Sequence, residues 1–158
     1  MNANEGKYPR ERRSAARLGA VQALYQMDLS GSDVGETLAQ FSARVMGENF
    51  EDGQCGEADY RHLKDVVDGV VREQKTIDPA VDQILDKAWP LHRLDSTVRA
   101  ILRAGAYELM FMDRVPARVA ISEYVDVADA FFGTEEPRFV NGVLDRLARL
   151  KRPQEFAA

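Results

Sequence analysis

The side chains best suited to chemistry stand near the start of the chain. Arg10, Arg12, Arg13 and Arg17 fall within RERRSAARLGAVQALYQMDL, residues 10–29. Arginine is a planar, permanently charged fork that pairs with phosphate and stacks on bases. The chemistry to expect is therefore recognition of an anion. Local helix stability does not account for these residues, since exposed positive charge at a helix N-terminus opposes the dipole by about 0.3 kcal/mol or more per charge. Reaction chemistry is poorly provided for. His62 and His92 are the only histidines, and neither has a metal-ligand partner at helical spacing. The sequence holds no H-E-x-x-H, paired-cysteine motif, phosphate loop, dinucleotide fingerprint or G-x-S-x-G. Glu123, Asp126 and Asp129 line up at three-residue steps. A dicarboxylate metal site would add histidine, so they read as a solvated helix face. The expectation is a non-enzymatic protein with no catalytic residue, metal or cofactor.

Charge supports a local anionic partner. The chain of 158 residues has a net charge of −5. Residues 1–17 hold five basic groups against two acidic ones, a net of +3, which leaves −8 on the rest. Such asymmetry favours one binding patch over general adhesion to nucleic acid. The bland alternative is a solvated basic arm. A single cysteine, Cys55, allows no intrachain disulfide, and no apolar run approaches the ~20 residues of a membrane span. A cytoplasmic setting without membrane contact follows as the expectation.

The elements that must position these residues are helices. Leu18, Val21, Leu24, Tyr25 and Leu29 recur at three- and four-residue steps after the arginines. At 100° per residue, Arg10, Arg13 and Arg17 project roughly in line with Val21 and Leu24, so the apolar stripe should run out into a basic knob. Gly31 is expected to cap this helix. Asp33 and Glu36 have capping-box spacing ahead of Val34, Leu38, Phe41 and Val45. A polar loop over 47–56 contains Cys55. A third helix is expected over 58–74, and a short fourth from Asp78-Pro79 carrying Val81, Ile84, Leu85 and Ala88. Trp89-Pro90 should stop it, with Trp89 as a core or hinge anchor.

The most apolar helix starts near Leu91 or Asp95 and runs to Met112. Gly105 on it would allow close helix approach, and Arg99 and Arg103 on its opposite side would extend a basic surface. Helices over 117–132 and 138–150 follow, separated by an acidic loop, Thr134–Pro137. No strand pattern appears. The expectation is an all-α, single-domain bundle of six or seven helices over 10–152, with a disordered arm at 1–9 and a flexible tail at 153–158.

Four segments in this order resemble the bacterial transcription antitermination factor family NusB. They are RxxxRLGAVQALYQ (residues 13–26), LRAGAYEL (102–109), VPARVAISEYVDVA (115–128) and RFVNGVLDR (138–146). The resemblance covers about residues 10–149 and implies the same all-helical fold. It implies pairing with NusE, a small-subunit ribosomal protein, and binding of the single-stranded boxA element in nascent ribosomal RNA operon transcripts. The assembly would act with other Nus factors on the RNA polymerase elongation complex to read through terminators. By motif position, Arg10, Arg12, Arg13, Arg17, Arg103 and Phe139 would meet RNA, and Tyr25 and Glu135 would meet the partner.

Tyr25 lies on the apolar stripe, which favours burial. Phe139 falls off the Val140-Val143-Leu147 stripe and suits base stacking. Asn141-Gly142 suits helix packing better than RNA contact. Two other readings remain. One is a module like the N-terminal domain of RNA cytosine methyltransferases, although the sequence holds neither a Rossmann segment nor a catalytic-cysteine motif. The other is a helical interaction protein that binds no RNA.

Overall fold

The computed structural model describes residues 7–40 and 57–157, with side chains described for 13–40 and 60–157. All regular elements among them are helical. The chain divides into two compact units, one through Asp68 and one from Gly69 onward.

In the first unit, α1 spans Lys7–Ser30 and so starts three residues before Arg10. Gly31 ends it with φ +70°, and its N–H donates to the Met27 carbonyl at 2.9 Å. Only glycine adopts that left-handed conformation at little cost, which is the predicted cap realised. The Glu36 N–H then donates to Asp33 Oδ1 at 2.8 Å and opens α2, whose described part is 34–40. Phe41, Val45 and the expected loop with Cys55 lie outside the described residues. Ala16, Ala20, Val21, Ala23 and Leu24 form the buried face of α1. A Cβ on Gly19 would come within 2.8 Å of the Leu63 side chain, so α1 packs closely against α3.

α3 spans Glu57–Asp82 without the break expected before Asp78, and Pro79 lies inside it. The buried stripe explains the continuity. Leu63, Val66, Val67, Val70, Ile77 and Val81 bury one face straight past the proline. Pro79 forgoes one backbone bond in the last turn, and packing on both sides of it outweighs that loss. The helix stops at Asp82 instead of Ala88. Asp82 Oδ1 accepts the Leu91 N–H at 2.8 Å, leading the chain into a 3-10 turn at Leu91–Arg93. Trp89, expected as a core or hinge anchor, is 60% exposed and stands on the turn between α3 and the 3-10 turn, so the core alternative fails.

The rest of the second unit is three helices that each pack against the other two. α4 spans Ser96–Phe111, and Asp95 caps it by accepting the Thr97 and Val98 N–H groups at 2.9 and 3.2 Å. α5 spans Ala117–Phe131. α6 spans Glu135–Lys151 and starts three residues before Arg138, so all of the expected acidic loop but its first residue, the N-cap Thr134, is helix. The missing N–H of Pro137 is harmless in a first turn, and Glu135 and Glu136 complement the helix dipole there. Gly105 allows the close approach foreseen for it. A Cβ there would lie 2.8 Å from Leu144 Cδ1 on α6. The buried Glu108 carboxylate accepts the Tyr124 hydroxyl between α4 and α5.

Beyond α6 the chain does not trail away. Arg152 is 3% exposed and points back into the unit. Its Nε donates to the Leu109 carbonyl at 2.8 Å, and its Nη2 to the carbonyls of Glu108 at 2.8 Å and Met112 at 2.7 Å. Its Nη1 donates to the Val115 carbonyl and, at 3.1 Å, to Glu155 Oε2. The guanidinium thus supplies extra donors to carbonyls in the last turn of α4 and the turn after it, where helical N–H donors run out. Glu155 closes the 3-10 turn Pro153–Glu155, and its Oε1 accepts the Ala117 N–H at 2.9 Å, at the start of α5.

The Ala117 N–H, and after it Arg152, hold the Glu155 carboxyl below its ordinary pKa. A depressed carboxylate contributes stability that is complete above its unfolded pKa and lost as pH falls through the folded one. Replacing Glu155 by Gln should therefore shrink the acid-side loss of thermal stability. Thermal midpoints across an acidic pH series read this. An acid limb identical in the two proteins would contradict the assignment.

Candidate nucleic-acid interface

The arginines of α1 separate by position. Arg10 and Arg12 lie in its first turns, and their side chains fall outside the described ones. Arg13 is exposed. Arg17, one turn on, is 2% exposed and has bonded partners. The buried stripe of Val21 and Leu24 therefore continues through Arg17, and the basic knob starts before it. A buried guanidinium is retained only when paired, so Arg17 belongs to the interior.

The two arginines expected on the α4 surface are also turned inward. Arg103 forms a fork with Asp78, Nε to Oδ1 at 3.0 Å and Nη2 to Oδ2 at 2.9 Å. Its side chain is 13% exposed. Asp78, expected to cap a helix, instead anchors this arginine. Arg99 Nη1 donates to the carbonyls of His92 and Leu94, each at 3.2 Å, and so steadies the turn before α4.

The partner-side residues come out more open. Tyr25, expected to be buried, is 37% exposed, and Leu29 one turn later is 63% exposed. They form an apolar rim at the end of α1, beside the Gln26–Gln40 hydrogen bond of 2.9 Å. Glu135 is exposed in the first turn of α6. Phe139 is 40% exposed beside fully buried Val140, the off-stripe placement expected of it. Asn141 and Gly142 are both exposed, and a Cβ on Gly142 would meet nothing within 4 Å. Among the described residues the pair therefore does not act as a helix-packing motif.

Sequence reasoning missed two arginine–aromatic pairs, one on exposed Trp89 and one on half-buried Phe156. Trp89 carries the Arg93 guanidinium 5.9 Å from its ring centroid. Phe156 carries that of Arg149 at 4.7 Å. In the first, a four-residue step after an exposed tryptophan was the available signal. In the second, the partners meet only because Arg152 folds the tail back.

Helices that present an exposed arginine near the start of α1 and exposed aromatic rings form an arrangement suited to nucleic-acid binding. The model of the NusB family matches residues 14–149. The transcription antitermination protein NusB of Rhodopseudomonas palustris strain TIE-1 is 50% identical over 97% of this chain and 88% of its own length. That of Mesorhizobium japonicum is 53% identical over 89% of this chain and 91% of its own. Among solved structures, T. maritima NusB superposes with a TM-score of 0.77 at 27% identity, covering 91% of this chain and 96% of that one. A chain from antitermination factors NusB and NusE in complex with dsRNA gives 0.72 at 30% identity, covering 88% and 97%. The chain belongs to the NusB family of transcription antitermination proteins.

Proposed function

We propose that this chain binds the single-stranded boxA element of nascent ribosomal RNA operon transcripts together with the ribosomal protein NusE. The pair would join other Nus factors on the RNA polymerase elongation complex and promote reading through terminators. The observation that carries the reading is the exposure of Arg13 near the start of α1, in a stretch (residues 1–17) of net charge +3 within a chain of net charge −5. Arg10 and Arg12 share that helix start and are assigned to RNA with Arg13. Phe139 supplies an exposed ring for stacking on an unpaired base. Tyr25 and Glu135 are assigned to the protein partner. The acidic remainder of the chain favours a basic second subunit, which a ribosomal protein provides.

The test is binding of a short boxA RNA across a salt series, with and without NusE. Weak binding alone and clearly tighter binding with NusE are expected. Each phosphate contact on a single strand contributes about 0.7 to the logarithmic salt slope. Replacing Arg10, Arg12 and Arg13 together by alanine should therefore lower that slope by about 2. Absence of RNA binding under both conditions would overturn the reading.

A further inference from the structure

A second basic surface lies on α6, away from the arginines of α1 in sequence. From Arg138 to Lys151 the chain holds four basic residues against Asp145 alone, a net of +3. Beside it, between α5 and α6, is an open cleft of about 410 Å3. Ile121 and Val125 contribute apolar lining, and Asn141 a polar edge. The Glu155–Ala117 bond holds the tail against the start of α5, so Phe156, Arg149 and Arg118 share one end of the cleft. Asp126 also lines it, but lies two turns further along α5, about 12 Å from Arg118 by helical rise.

The basic end is built for a flat anionic ligand. Asp145 Oδ2 accepts from Arg149 Nε at 3.0 Å, which orients the guanidinium over the Phe156 ring. The Arg149 side chain remains 59% exposed, so the covered plane still offers area to solvent. An arginine held over a ring in this way can stack on an unpaired base. Arg118 is exposed and donates to no group among the described residues, which leaves its charge for a phosphate. Exposed Gly142 lets a strand approach the backbone of α6 beside Arg138 and Arg146.

We propose that this cleft binds a nucleotide of single-stranded RNA without regard to sequence, with the base on the Arg149–Phe156 stack and the phosphate on Arg118. The proposal rests on the RNA-binding reading and adds a contact outside the arginines of α1.

The experiment uses a labelled oligouridylate, which lacks boxA sequence, at low salt with the full chain. Fluorescence anisotropy reads affinity, and 4-thiouridine crosslinking reads position. Arg149→Lys and Phe156→Ala should each weaken binding roughly fivefold or more, since one stacked base contributes about that much, and Arg118→Ala should weaken it and lower the logarithmic salt slope by about 0.7. Arg149→Lys is the discriminating variant, because it keeps the charge and loses the plane. Phe156→Trp should retain binding, which guards against a tail that has merely come loose. Crosslinks should fall within 118–126 and 141–156.

Three results would overturn the proposal. One is no oligouridylate binding to the unaltered chain. Another is binding that none of these variants changes. The third is variants that weaken NusE binding alone, which would make the cleft a protein site. Binding of boxA RNA through the α1 arginines is measured separately, so failure of that reading would be seen on its own.

Discussion

Replacing Arg152 by alanine is expected to cost about 3–5 kcal/mol, the range for removing one partner of a buried charged cluster. The guanidinium contacts four backbone carbonyls and one carboxylate, and it is almost fully enclosed. Its removal leaves the carbonyls of Glu108, Leu109 and Met112 without that donor, in a site with little room for water. It also frees Glu155, and with it the tie to the start of α5. The thermal midpoint by circular dichroism should fall by on the order of 10 °C for a domain of this size. Lysine at the same position keeps the charge but cannot reach all these acceptors, so it should recover only part of the loss. A midpoint within 2–3 °C of the parent, about 1 kcal/mol or less, would mean that the cluster contributes little.

Replacing Arg17 by alanine should produce a loss of similar size, about 3–5 kcal/mol, since its 2% exposure places a bonded charge in the core of the first unit. The informative comparison is with Arg13, one turn earlier. Arg13→Ala should change stability by less than about 0.5 kcal/mol, as exposed substitutions usually do. It should lower the salt slope of RNA binding, whereas folded Arg17→Ala protein should keep the parental slope. Denaturant unfolding and RNA titration on the same two variants decide the matter. The reverse pattern, a stable Arg17→Ala protein with a shallower slope, would return Arg17 to the RNA surface.

Arg13 and Arg17 also show where the sequence is legible. Their spacing with Val21 and Leu24 correctly places the stripe, but periodicity tells which side of a helix is covered and not where the cover ends. The same limit misplaced Tyr25, which sits on the rim of a stripe whose centre is Ala20, Val21 and Leu24. Some signals that act within one turn were read well. Gly31 and Asp33 each cap a helix through atoms three or four residues away, and Asp95, one of two expected starts for α4, is its N-cap. Gly105 was legible too, because an otherwise costly glycine inside a helix implies a close neighbour.

Pairings across long sequence separations were not legible. Asp78 looked like a cap for the proline that follows it, yet its carboxylate is taken by Arg103, 25 residues away. Arg152 fell at the edge of the expected tail, and its acceptors lie about 40 residues earlier. Composition does not encode such matches, since any arginine and any carboxylate look alike until the chain is folded. For the interface, the exposed character of Phe139 followed from its phase on α6. Arg103 and Arg17 did not follow, because burial of a charge depends on partners that local pattern cannot name.

Trp89 is the chain's only tryptophan, and it stands largely in water on a turn. Its emission in the folded protein should already be red-shifted, near that of the unfolded chain. Fluorescence intensity or wavelength would then register melting only faintly, while circular dichroism would register it fully. The same indole should be readily quenched by small solutes in the native state. A ligand that covered this turn would announce itself as a loss of that quenching, with no label added to the protein.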